Sequence, residues 1–84
     1  MKAKIEINLK EGILDPQGKA IHHALESLGF NGIHEVRTGK LIEIALDGHD
    51  RQEAGNLVKE ACEKLLANSV IEKYTFSIVE NSTL

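Results

Sequence analysis

The chain has no tryptophan, one tyrosine, two phenylalanines, one cysteine and one proline among 84 residues. Each scarcity excludes something. With aromatics at 4%, the core has to be aliphatic. A nucleic-acid-binding sheet stacks bases on exposed rings of its central strands, and here those positions are Lys, Glu and Asn. The lone Cys62 forms no internal disulfide, so packing alone must hold the fold, and a cytoplasmic setting is expected. Nothing approaches the roughly 20 apolar residues that span a bilayer. The opening MKAKIEINLKEG alternates charged and apolar residues, which is not the pattern of a signal peptide. Charge of neither sign is concentrated: 10 basic and 13 acidic side chains interleave to a net −3. A phosphate-backbone binder needs a concentrated basic face to gain from counterion release, so neither nucleic acid nor membrane is expected as a partner.

What is present is ordinary globular material, 42% apolar and 27% charged. The length suits one domain, expected over residues 1–80, with 81–84 a polar, frayed tail. A chain of this size buries only about 60–65% of its unfolded surface. A deep, dry catalytic cavity is hard to build in one copy, and extra burial by pairing with copies or partners is the natural remedy.

Periodicity supplies the elements. Ala3, Ile5, Ile7 and Leu9 alternate with Lys2, Lys4, Glu6, Asn8 and Lys10, the period of a half-buried strand. Asp15-Pro16 opens a helix, Asp15 as cap and Pro16 at the first helical position, where its missing N–H removes no bond. Ala20, Ile21, Ala24, Leu25 and Leu28 form its apolar side, and Gly29 is placed to end it. Residues 33–46 read as two strands joined by a turn near Arg37-Thr38-Gly39-Lys40, the second clearly alternating through Ile42, Ile44 and Leu46. Asp50 and Glu53 form a capping pair for a second helix. Its stripe runs Ala54, Leu57, Val58, Ala61, Cys62, Leu65 and Leu66. Tyr74, Phe76 and Ile78 mark a last strand. The order β-α-β-β-α-β predicts an α+β, ferredoxin-like two-layer sandwich: a four-stranded antiparallel sheet with both helices on one face.

No catalytic or metal-binding constellation emerges. His22 and His23 diverge by about 100 degrees on a helix, and His34 and His49 have no ligand partner at useful spacing, so surface roles are expected. Cys62 lies on an apolar stripe, where a thiol is inert. Two turns exceed what folding asks for. A hairpin needs Gly39 but not Arg37 and Lys40 together. A helix start needs Asp15-Pro16 but not Gly18, since glycine costs roughly 1 kcal/mol against alanine in a helix. Something is expected to pack closely on that first turn.

Three segments carry a resemblance: LKEGILDPQGKA at 9–20, VRTGK at 36–40 and CEKLLANSVIEKY at 62–74. In this order and spacing they resemble the PurS family, the small subunit of the bacterial-type phosphoribosylformylglycinamidine (FGAM) synthase, over about residues 3–79. Glu11, where a proline is common, and Thr38, where an aliphatic residue is usual, depart from the pattern. The resemblance implies a non-catalytic subunit that bridges an ATP- and Mg-using synthetase subunit and a glutaminase subunit in purine synthesis, supports ammonia transfer between them and self-associates to a dimer or tetramer. It implies no cofactor on this chain alone. Asp15, Gln17, Arg37, Gly39 and Lys40, in the two turns, are the residues expected to face partners. A rival expectation is a ferredoxin-like small-molecule sensor, to which Gly12 and Gly18 lend slight support.

Overall fold

Alternation makes the central strand. In the computed structural model, which describes residues 1–48 and 50–80, β1 (Lys2–Leu9) buries Ala3, Ile5 and Ile7 and turns Lys4, Glu6 and Asn8 to solvent. The expected frayed tail at 81–84 and the surface position expected of His49 lie outside the described residues. β2 (Gly39–Ala45) and β3 (Glu72–Val79) flank β1, both antiparallel to it, in the order β2-β1-β3. The register sets Ile5 between Ile42 and Phe76, and Ile7 between Lys40 and Tyr74. Lys2 is buried on the outer face, where Glu43 pairs with it at 3.0 Å.

α2 (Arg51–Ala61) begins at the predicted capping box: Asp50 accepts from the Glu53 amide at 2.8 Å, and Glu53 reaches back to the Asp50 amide at 3.3 Å. Ala54, Val58 and Cys62, four residues apart, are fully buried and form one core with Ala3, Ile5 and Ile7. A π-helical turn, Cys62–Leu66, follows, closed by the Ala67 amide on the Cys62 carbonyl at 2.9 Å. That wider turn shifts the helical phase, so Ala67 is buried and Leu65 is 82% exposed. The buried line is therefore narrower than the stripe the sequence predicts.

α1 (Pro16–Ser27) follows a different course. It ends as expected: Gly29 takes φ 93°, with its amide on the Glu26 carbonyl and that of Phe30 on the Leu25 carbonyl. Yet α1 makes no substantial packing against the sheet or α2. It leaves the sheet as an arm, and residues 33–38 return along it. The molecule extends 50 × 31 × 15 Å in consequence.

The four-stranded ferredoxin-like expectation is thereby corrected. Among the described residues the sheet has three strands, residues 33–38 form none, and α2 with the π turn that follows it covers the sheet. Two physical reasons apply. Ile33 and Val36 are three apart, not two, so this segment has no strand face to offer a core. Losing that strand also changes what α1 connects. β1 and β2 are antiparallel neighbours, which need no crossover, whereas the parallel pair β2 and β3 on either side of β1 does. Only α2 is obliged to cross the sheet.

Candidate functional site

Asp15 ties the two turns together. Its carboxylate accepts from the Gly18 amide at 2.9 Å, capping α1, and from the Thr38 amide at 2.7 Å and the Thr38 hydroxyl at 2.9 Å. The residue is 4% exposed. The Thr38 and Gly18 amides, then the Thr38 hydroxyl and the nearby Arg37 charge, hold its pKa below the ordinary carboxylate value against the opposing effect of desolvation.

Gly18 has the close neighbour its place in the helix implies: a Cβ there would run into the Val36 carbonyl oxygen. One turn on, His22 Nε2 donates to the Ile33 carbonyl at 2.8 Å. These contacts hold the returning segment against the arm. Gly39 is required for a related reason rather than for a positive φ. It opens β2 opposite Asn8, where a Cβ would collide with the Asn8 side chain and lie 2.9 Å from the Ile7 carbonyl.

Folding does use Arg37. Its guanidinium donates to the Ile13 carbonyl at 2.8 Å and the Lys10 carbonyl at 3.2 Å, fastening the loop before α1. Lys40, 66% exposed, lies 3.7 Å from the Glu72 carboxylate. Four of the five predicted residues, Asp15, Gln17, Gly39 and Lys40, line one cleft of about 370 Å³ floored by Ile7 and Leu9. Arg37 lines an adjoining polar groove with Asn8, Glu35 and Lys73. The sequence reading missed Thr38 as the Asp15 partner and Glu72 as the Lys40 partner. Both contacts join residues far apart in the chain, and no local pattern marks them.

The other reactive side chains are committed to structure. Burial, with the Glu63 charge second, raises the Cys62 pKa. Tyr74, also raised, chiefly by desolvation, hydrogen-bonds Glu63 at 3.1 Å. Among the described residues, no group of three or more His, Cys, Asp or Glu is placed to hold a metal ion. None of the described helices is long and apolar enough to cross a membrane.

A single cleft flanked by two signature turns invites comparison with known proteins. The family described as PurS, phosphoribosylformylglycinamidine (FGAM) synthase, matches residues 2–80. The PurS subunit of Bacillus subtilis FGAM synthase is 49% identical over 79 residues, 94% of this chain and 93% of that protein. The chain belongs to the PurS family. Solved PurS structures agree in fold: that of Methanocaldococcus jannaschii, 41% identical, gives a TM-score of 0.86 over 96% of this chain and 98% of its own. A chain of the Thermotoga maritima PurLQS structure, 32% identical, gives 0.83 over 93% and 95%. As a PurS chain, the protein is the small subunit of FGAM synthase, an ATP-dependent, glutamine-using ligase of purine biosynthesis.

Proposed function

We propose that this PurS chain is the non-catalytic bridge of its complex. It holds the synthetase subunit, which uses ATP and Mg, against the glutaminase subunit and supports the passage of ammonia between them. In this reading the chain binds no cofactor alone, works in the cytoplasm, and self-associates to a dimer or tetramer. The observation that carries the proposal is the likeness, over 93% of the chain, to a chain of the Thermotoga maritima PurLQS structure. The commitments of Asp15 and Cys62 agree with it: the one carboxylate buried in the cleft is saturated by hydrogen-bond donors, and the one thiol is enclosed.

The five turn residues form the partner-facing surface in two ways. Gln17 and Lys40, exposed at the mouth of the cleft, reach the partner. Asp15, Arg37 and Gly39 keep the two turns in register so that both are presented together. Charged groups on an interface rim set orientation and association rate, and truncating a hydrogen-bonded one costs roughly 2–5 kcal/mol of binding.

Reconstitution tests the reading. The two catalytic subunits, mixed with and without this chain, are assayed with glutamine and with ammonia as nitrogen source. Glutamine-dependent turnover should require the chain and ammonia-dependent turnover should not. Gln17→Ala with Lys40→Glu should weaken assembly while leaving the melting temperature of the free chain nearly unchanged. Full glutamine-dependent turnover by the catalytic pair alone would remove the bridging role.

A further inference from the structure

The polar groove beside the cleft has no part in the bridging role. It lies where the outer sheet face meets the loop after β1 and the returning segment. Glu11 and Gly12 come from the loop, Glu35 and Arg37 from the returning segment, and Asn8 and Lys73 from paired positions of β1 and β3. Gly12 turns the loop at φ 84°. The volume, about 490 Å³, falls within the roughly 300–1,000 Å³ of small-molecule clefts. Its walls are already fastened in the free chain. Arg37 reaches from the returning segment to the Lys10 and Ile13 carbonyls of the loop, and Asp15 binds Thr38. A site held open in this way spares a ligand the cost of ordering it.

Two carboxylates, Glu11 and Glu35, and two cations, Arg37 and Lys73, stand around this groove. Among the described residues none of the four takes part in a salt bridge. The side chains of Glu11, Glu35 and Lys73 are exposed and make no hydrogen bond there. Arg37 uses two N–H groups on the loop carbonyls and keeps the others. That balance selects the ligand. A phosphate would be opposed by the two carboxylates, and a metal ion by the two cations. A zwitterion is attracted by both pairs.

We propose that the groove binds a free, net-neutral α-amino acid with a polar side chain. The ligand carboxylate accepts from Arg37 and Lys73, and the ligand ammonium donates to Glu11 and Glu35. Hydrogen bonds between ionised partners are roughly twice as strong as neutral ones, and both ends of the ligand make them. The Asn8 amide is left for the ligand side chain. Gly12, one of the two glycines that favour a small-molecule sensor, thus sits on the rim of a site, whereas Gly18 serves the arm. The site belongs to the free chain and does not depend on the bridging role. Glutamine, which the complex consumes, is of the proposed class, as are asparagine and serine.

Titration of the full, nitrogen-15-labelled chain with L-glutamine, L-asparagine and L-serine, followed by amide chemical shifts, tests it. At least one of the three should give saturable shifts at Gly12, Glu35 and Lys73, with a dissociation constant of about 1 mM or lower. The same compound with its carboxylate converted to the amide, or with its ammonium acetylated, should bind roughly tenfold more weakly or worse. Glu35→Gln and Lys73→Gln should each weaken binding to a similar degree. Both side chains are exposed and unpaired among the described residues, so the melting temperature should stay nearly unchanged. Lys59→Gln, an exposed change on α2 outside the groove, should leave binding as it is. If none of the three amino acids gives saturable shifts, the groove is a solvated polar surface and the proposal falls. Binding that survives removal of the ligand carboxylate or ammonium, or that either groove variant leaves intact, would also overturn it.

Discussion

The sheet with α2 and the arm built from α1 and residues 28–38 are held together by different physics. In the first, Ala3, Ile5, Ile7, Ala54, Val58 and Cys62 are fully or almost fully buried in one aliphatic cluster. In the second, polar fasteners do the holding: Asp15 on Thr38, His22 on Ile33, Arg37 on the loop carbonyls, with Gly18 admitting the chain closely enough for the rest. A hydrophobic cluster is non-directional and tolerates small shifts, whereas hydrogen bonds specify a geometry and contribute only about 0.5–1.5 kcal/mol net apiece. The core thus fixes whether the chain folds, and the fasteners fix where the turns stand.

That contrast can be broken first at the core. Ile5→Ala removes a fully buried side chain at the centre of the sheet and should lower unfolding free energy by about 2–5 kcal/mol, read from urea denaturation followed by circular dichroism. At the arm, Gly18→Ala forces a methyl group into the Val36 carbonyl and should cost about 1–3 kcal/mol, as overpacking does. Its control is Gly55→Ala in α2, where a Cβ meets open space. There the helix should gain about 0.5–1 kcal/mol, the difference in helix propensity. A destabilising Gly55→Ala, or a neutral Gly18→Ala, would remove the distinction between the two glycines. Asp50→Ala, which deletes the α2 cap, should cost about 0.5–2 kcal/mol and affect the sheet unit alone.

Acid sharpens the comparison because it reaches the arm through Asp15. The folded pKa of this group is lowered, so its contribution is complete above its unfolded value, about 3.9, and is lost as pH falls through the lower folded value. Protection of the α1 and Thr38 amides against hydrogen exchange, each rate taken relative to its intrinsic value at the same pH, should fall on acidification below about pH 4. Asp15→Asn should abolish that dependence while leaving exchange in β1 largely unaltered. The smallest effect is expected at Lys40→Gln. The exposed pair with Glu72 is worth little, and melting should move by the equivalent of no more than about 0.5 kcal/mol, so any loss of assembly with the catalytic subunits is then a matter of binding.

Much of this was legible in sequence wherever the signal is local. The alternation of β1, the Asp15-Pro16 start and Gly29 stop of α1, and the Asp50/Glu53 box of α2 are all as read. So is the close packing on Gly18, although its partner, the Val36 carbonyl, was not readable. Gly39, expected from its place in a hairpin, is instead required by a close approach to Asn8 and Ile7. Thr38, a departure from the family pattern, is the residue whose amide and hydroxyl bind the Asp15 carboxylate.

The sequence by itself determined β1, both helix starts and the last strand, because each rests on residues adjacent or one helical turn apart, where spacing is geometry. Three segments in fixed order gave the family. Only the tertiary structure decided that there are three strands rather than four, that α1 leaves the sheet, and that Asp15 and Thr38 meet across 23 positions. Those outcomes depend on which strand pairs beside β1. Once β2 lies antiparallel to it with no crossover required, local periodicity no longer fixes where a helix packs.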